Sequence, residues 1–379
     1  MQKTYLFTPG PTPVPPEVLA AMAEPMVHHR GTDFRRVYER TLGRLREVFR
    51  TEGQVLLFAA SGTGAMDSAV SNLAEPGTRV AVVTAGAFGE RWAAICEQYG
   101  LDVQRLAYDW GEVPAAEEIG SAVAESGAEL VFCTHSETST GVVNDVQAFK
   151  AAIGDAVLVV DAISSLGAVP LETDAWSLDV VVSGSQKALM CPPGLAMASI
   201  AEDLWERLPP ARTFYFDWRR ARKAQEVFDA AFTPAVSLIK GLDVALGMLL
   251  ENGLESGFEH HLRLGRATRA GIKAMGLELF SPDDDSAAVV TAVRCPEGID
   301  GTELLRHLRD RHGVTLAPGQ GALKGKIFRI GHIGWFDVFD IAAALAAVEL
   351  ALTELGADIE RGVAVPAAYE AFESLRLPG

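Results

Sequence analysis

The sequence is short of three things, and each shortage excludes something. It holds four cysteines, Cys96, Cys133, Cys191 and Cys295, far apart and with no CxxC pair or Cys/His ligand spacing. Buried reduced thiols and no metal site are the expectation. It is short of positive charge, with 33 Lys and Arg against 50 Asp and Glu, for a formal net charge of −17 and no dense basic run. That balance excludes nucleic acid and anionic membrane as natural partners. It also lacks any apolar run of membrane-spanning length, and its opening, MQKTYLFTPGPTPVPP, lacks the charged-then-apolar build of a signal peptide. A cytoplasmic protein is expected.

What is present is a chain of 379 residues, 49% hydrophobic and 22% charged, enough for two domains and a large core. Short apolar runs (QVLLFAA, RVAVVTA, AELVFCT, AVLVVDA, LDVVVSG) alternate with amphipathic stretches such as PAAEEIGSAVAESG. This alternation predicts an α/β fold whose mainly parallel sheet is covered on both faces. The composition changes near Leu238 to Leu264, which read as one long helical pattern, and shorter strand candidates (AAVVTAVRC, KIFRIGHI) follow among helices. The expected organisation is an N-terminal arm at 1–16, a large domain at 17–258 and a smaller α+β domain at 259–379.

In a parallel sheet, ligands bind beyond the C-terminal strand ends, so what each strand runs into matters. QVLLFAA runs into Ser61, Gly62, Thr63 and Gly64 ahead of a helix, a turn that suits a phosphate or serves as an ordinary N-cap. RVAVVTA runs into GAFGER with Phe88 between glycines, and AELVFCT into HSETSTG. AVLVVDA carries Asp161, followed by Ser164 and Ser165, and LDVVV runs into SGSQK. Singly, Asp161 reads as a solvated strand-end acid and Lys187 as a surface lysine. Together they supply a lysine to bond an aldehyde, an acid to hold a pyridinium proton, an aromatic face to stack and a phosphate cup. Those are the needs of pyridoxal 5'-phosphate.

From end to end the sequence resembles the class V aminotransferases of PLP fold type I, in the alanine–glyoxylate and serine–pyruvate (serine–glyoxylate) branch. The resemblance rests on TPGPTPVPPEVL and HHRGTDF, SGTGAMDSAVSNLAEPG, GAFGER, THSETSTGV, the block from Asp161 to Gly194, TPAVSLI and FRIGHIG. It implies that Lys187 bonds the cofactor and later carries a proton, with Asp161 paired to the ring nitrogen and Phe88 stacked on the ring. Thr63, Gly64, Ala65 and Gln186 would hold the phosphate, though relatives often carry histidine where Ala65 stands. Thr138 and Ser165 would lie near the ring, Arg329 would clamp the substrate carboxylate and Gly10 would line the substrate pocket. Thr233, in a segment that departs from the family pattern, would reach the partner's site in a homodimer.

The activity so implied is transamination between alanine or serine and glyoxylate or pyruvate. The rivals are a phosphoserine- or aspartate-type aminotransferase, another fold type I reaction, and a non-catalytic subunit that kept the fold. His28 and His29 read as packing near the active-site mouth rather than as a metal pair, and His332 as structural.

Overall fold

The computed structural model describes residues 3–374. Its main sheet has seven strands: β1 Val55–Phe58, β2 Arg79–Thr84, β3 Asp102–Ala107, β4 Leu130–Thr134, β5 Val157–Asp161, β6 Val180–Gly184 and β7 Ala196–Ile200. Their order across the sheet is β1-β7-β6-β5-β4-β2-β3. Only β7 is antiparallel to its neighbours, so the other six point one way and end on one edge.

The continuous apolar runs follow from helices covering both faces. Successive strand side chains point to opposite faces. Along β2, Ala81 and Val83 join one buried cluster while Val80 and Val82 join another. The same alternation recurs in β5, where Leu158 and Val160 face the first cluster and Val157 and Val159 the second. Each fully buried aliphatic side chain contributes about 1.5–3 kcal/mol.

The five expected strands are all present. β3 and β7 went unread, because β3 is a partly exposed edge strand carrying Asp102, Gln104 and Arg105, and β7 is built of small residues. The single helical pattern at Leu238–Leu264 is corrected to two helices, Val236–Leu250 and Leu254–Ala274. Gly253, at φ +77°, breaks them in a conformation that L side chains rarely adopt. The second helix runs without interruption through residues 258 and 259.

A three-stranded antiparallel sheet in the C-terminal part comprises β8 Val290–Arg294, β9 Ala317–Pro318 and β10 Ile327–Gly331, ordered β8-β10-β9. The N-terminal arm ties this region to the main sheet. Tyr5 and Leu6 pair in parallel with Val314 and Thr315, and Gly331 N–H donates to the Phe7 carbonyl at 2.8 Å. Further along, Thr12 donates its N–H to the Gln186 carbonyl (3.2 Å) and its hydroxyl to the Lys187 carbonyl (2.9 Å). Among the described residues, no helix is long and apolar enough to cross a membrane.

Candidate active site

The C-terminal edge of the main sheet carries a cavity of about 290 Å³, lined among others by Gly10, Thr63, Phe88, Asp161, Gln186 and Lys187. Six of the residues expected from the sequence therefore meet in one place, contributed by the arm and by the ends of β1, β2, β5 and β6. Gly64, Ala65, Thr138, Ser165, Thr233 and Arg329 stand outside its wall.

Ser61, extended at φ −80° and ψ 168°, starts the helix Gly62–Leu73. Its carbonyl accepts the N–H groups of Gly64 (2.8 Å) and Ala65 (3.3 Å). Those two donors are thus spent on the first helical turn, and the Ala65 side chain lies in the core. Among the described residues, the N–H groups of Gly62 and Thr63 have no such partner, and they present the positive end of the helix to the cavity.

Asp161 closes β5 and is buried, its carboxylate accepting the Ile163 N–H at 2.8 Å. Burial pushes its pKa up to about 7; that hydrogen bond opposes the rise, Glu137 adds to it, and Lys187 and Arg91 oppose it. Lys187 follows β6 in a turn and is also buried. Burial lowers its ammonium to about 8, against the pull of Asp161, while Arg329 and Arg91 push the same way as burial. Gly10 touches this lysine so closely that a Cβ would stand 2.3 Å from Lys187 Cδ and Cε.

Two residues that the sequence reading passed over shape the site. Arg91, in the GAFGER turn, lines the cavity, donates from Nη1 to Thr63 Oγ1 at 3.1 Å and lies 4.7 Å from the Phe88 ring centre. Glu137, in HSETSTG, is buried and accepts the N–H groups of Phe88 (3.0 Å) and Gly89 (3.1 Å), capping the helix Ala87–Gln98. Its other oxygen accepts from Ser139, N–H and hydroxyl. The available signal was chemical, an acid set among hydroxyl residues and an arginine one turn after the aromatic. Ser164, rather than Ser165, lies on the wall, and the fully buried Ser165 hydroxyl has no hydrogen-bond partner among the described residues.

Arg329, on β10, is buried. Its Nε and Nη2 donate to the Pro318 carbonyl at 3.0 and 2.8 Å, and Nη1 donates to the Thr138 carbonyl. Burial lowers its pKa to about 10, with Glu137 opposing. No described carboxylate forms an ion pair with it, an expensive arrangement for a guanidinium unless an anion arrives. Thr233 lines a separate cavity with Tyr215 and Phe232. His332 is fully buried, bonded to Thr291 Oγ1 at 3.0 Å and held neutral by burial, with its pKa lowered to about 3. His28 and His29 lie with ring centres 5.0 Å apart, tilted to one another, and gather no third ligand-type side chain among the described residues.

This assembly is that of a known class. The family profile described as Aminotransferase class-V matches residues 4–330, and the chain belongs to that family. It is 40% identical to a protein of a Synechococcus strain named "Soluble hydrogenase, small subunit", over 93% of this chain and 94% of that one. It is 35% identical to the serine–glyoxylate aminotransferase of Methylorubrum extorquens, over 97% and 95%. The crystal structure of ureidoglycine–glyoxylate aminotransferase from Bacillus subtilis superposes with a TM-score of 0.93 at 31% identity, covering 98% of this chain and 99% of that one. The protein is a PLP-dependent aminotransferase.

The residues fit that cofactor. The cavity is at the lower end of small-ligand sizes and carries two cationic side chains, Lys187 and Arg91, with two free N–H donors for a phosphate. Asp161 holds a carboxyl whose raised pKa a pyridinium would relieve, and the buried Ser136 Oγ and Gln186 Oε1 on the cavity wall have no partner among the described residues.

Proposed function

We propose that the protein transfers the amino group of a small L-amino acid, alanine or serine, to a 2-oxo acid, glyoxylate or pyruvate. The observation that carries this reading is the burial of Lys187 and Asp161 on one cavity wall, each with a pKa drawn toward neutrality. When bound, pyridoxal phosphate supplies the electron sink for the carbanion left as Cα loses its proton. The protein's own groups do the rest. The N–H groups of Gly62 and Thr63, with Gln186, hold the phosphate, and Arg91 steadies Thr63 and Phe88. Asp161 keeps the ring nitrogen protonated, and Phe88 orients the ring. Lys187 would take the Cα proton and return it two atoms away, on the far side of the amino nitrogen. Arg329 binds the substrate carboxylate with the guanidinium edge left free by Pro318 and Thr138. The bare Cα of Gly10 leaves room for the Lys187 side chain to swing.

We further infer a homodimer in which Thr233 approaches the partner's site. Supporting this, Phe214 (69% exposed) and Tyr215 (41%) form an aromatic patch with Phe232, next to Thr233. A fully active monomer in analytical sedimentation would remove the dimer.

The substrate reading is tested with a panel of amino donors, alanine, serine, aspartate and phosphoserine, each offered with glyoxylate and with pyruvate. Highest kcat/KM for alanine or serine is expected. Preference for a dianionic donor would replace it with an aspartate- or phosphoserine-type enzyme, and no turnover with any donor would favour the non-catalytic reading.

A further inference from the structure

Away from the cofactor cavity, three side chains that the transamination chemistry does not use converge at one point. His307 ends the helix Gly301–His307, His312 ends the π-helical turn Leu308–His312, and Glu354 ends the helix Val338–Glu354. Both imidazole Nε2 atoms contact the same oxygen, Glu354 Oε2, that of His312 at 2.8 Å. One ligand-type atom from each residue lies within 4.8 Å of the other two.

This convergence depends on the local backbone. Residues five apart on an ordinary α-helix of 3.6 residues per turn stand about 140° apart and cannot share a target. The π-turn widens the helix by one residue, so positions i and i+5 come to lie one above the other. It is this turn that brings the two rings together edge to face, with centres 5.6 Å apart. Such turns carry a conformational cost and concentrate at functional positions. The histidine side chains are 20% and 19% exposed, sheltered on one side yet open to an arriving ion.

We propose that His307, His312 and Glu354 form a Zn²⁺ site. Two imidazoles and one carboxylate are a donor set that suits zinc and leaves a fourth, tetrahedral position for water. Without metal, the imidazoles hydrogen-bond to Glu354; with metal, the Nε2 lone pairs and the carboxylate oxygen turn to the ion after a side-chain displacement of a few tenths of an ångström, a neutral ring carrying its proton on Nδ1 and a charged ring releasing its Nε2 proton to solvent. The formal net charge of −17 favours cations. Bound zinc would join the π-turn to the end of the long helix Val338–Glu354 and stabilise the C-terminal part of the fold by mass action. The sequence expectation of no metal site, drawn from cysteine spacing and from reading His28 and His29 as packing, did not weigh this set.

The test is calorimetric titration of ZnCl₂ into the metal-stripped holoenzyme, freed of excess cofactor, with X-ray absorption of the loaded protein. One equivalent per chain, a Kd below about 10 µM and imidazole scattering at roughly 2.0–2.1 Å are expected. His307→Ala and His312→Ala should each weaken binding at least about tenfold while transamination stays unchanged. His312→Gln, which retains a polar group, provides a second variant should an alanine protein misfold. No binding below about 1 mM, wild-type affinity in the histidine variants, or absorption spectra without imidazole would overturn the site.

Discussion

Glu137 Oε2 accepts the backbone N–H of Phe88 at 3.0 Å although 49 residues separate them. The loop after β4 thereby holds the start of the helix after β2, and with it the Phe88 ring on the cavity wall. All four contacts made by the Glu137 carboxylate come from donors. In Glu137→Gln one oxygen becomes an NH₂ that must face donors. A stability loss of about 1–3 kcal/mol is expected, together with weaker cofactor binding. Chemical denaturation of the cofactor-free protein measures the first and spectrophotometric titration the second; unchanged values for both would show that the cap is dispensable.

Gly10 has φ +154° and would place a Cβ 2.3 Å from Lys187 Cδ. Lys187 is anchored through its carbonyl by Thr12, so it has little room to retreat. Gly10→Ala should lower kcat at least about a hundredfold, as for a misplaced catalytic group, with the fold intact by circular dichroism. Wild-type turnover would mean that the arm moves aside freely.

The Lys187 amine should react as an unusually weak base. Because burial lowers its pKa to about 8 from 10.5, the neutral form gains at any given pH. In the cofactor-free protein, acylation of Lys187 followed by peptide mass spectrometry should rise with pH and level off near 8, whereas surface lysines keep rising toward about 10.4. The linked stability contribution has the matching sign. It is present above 10.5, falls as pH drops, and is gone below about 8. A midpoint near 10 for Lys187 would place it in solvent.

Arg329→Leu separates substrate recognition from cofactor binding. The loss in kcat/KM should be about 2–5 kcal/mol for every amino and oxo acid, as for one truncated partner of a charge pair. Amines without a carboxylate should lose far less, and cofactor absorption should persist. The variant also frees the Pro318 and Thr138 carbonyls, so a modest drop in melting temperature accompanies it. Equal kinetic losses for both substrate classes would reassign Arg329 to holding those carbonyls.

Much of this site was legible because parallel strands advertise themselves. An apolar run buried on both faces ends abruptly where the chain meets the ligand edge; Asp161 is the last residue of such a run, and Lys187 and Phe88 stand a few residues past theirs. The edge strand β3 and the small-residue strand β7 gave no comparable signal, since neither combines a long run with bulky side chains. That the Gly64 and Ala65 N–H groups bond to the Ser61 carbonyl, leaving Gly62 and Thr63 at the open end of the helix among the described residues, is a detail of the first turn that the Gly/Ser pattern does not report. Glu137 and Arg91 act across elements distant in sequence, and so do His307, His312 and Glu354. No local periodicity reports such a meeting, and in the last case it depends on a π-turn that helical spacing alone would not foretell.

The pairing of Tyr5 with Val314 sets an order of events during synthesis. The arm emerges first from the ribosome, yet its strand partner follows about 300 residues later, a very non-local contact of the kind that forms slowly. The main sheet can assemble while the arm is still loose, with the Lys187 turn lacking the two Thr12 hydrogen bonds that fasten it. Until the last third of the chain arrives, the nascent protein therefore has its lysine and its acid in place under an open roof. The finished pocket is among the last features to mature.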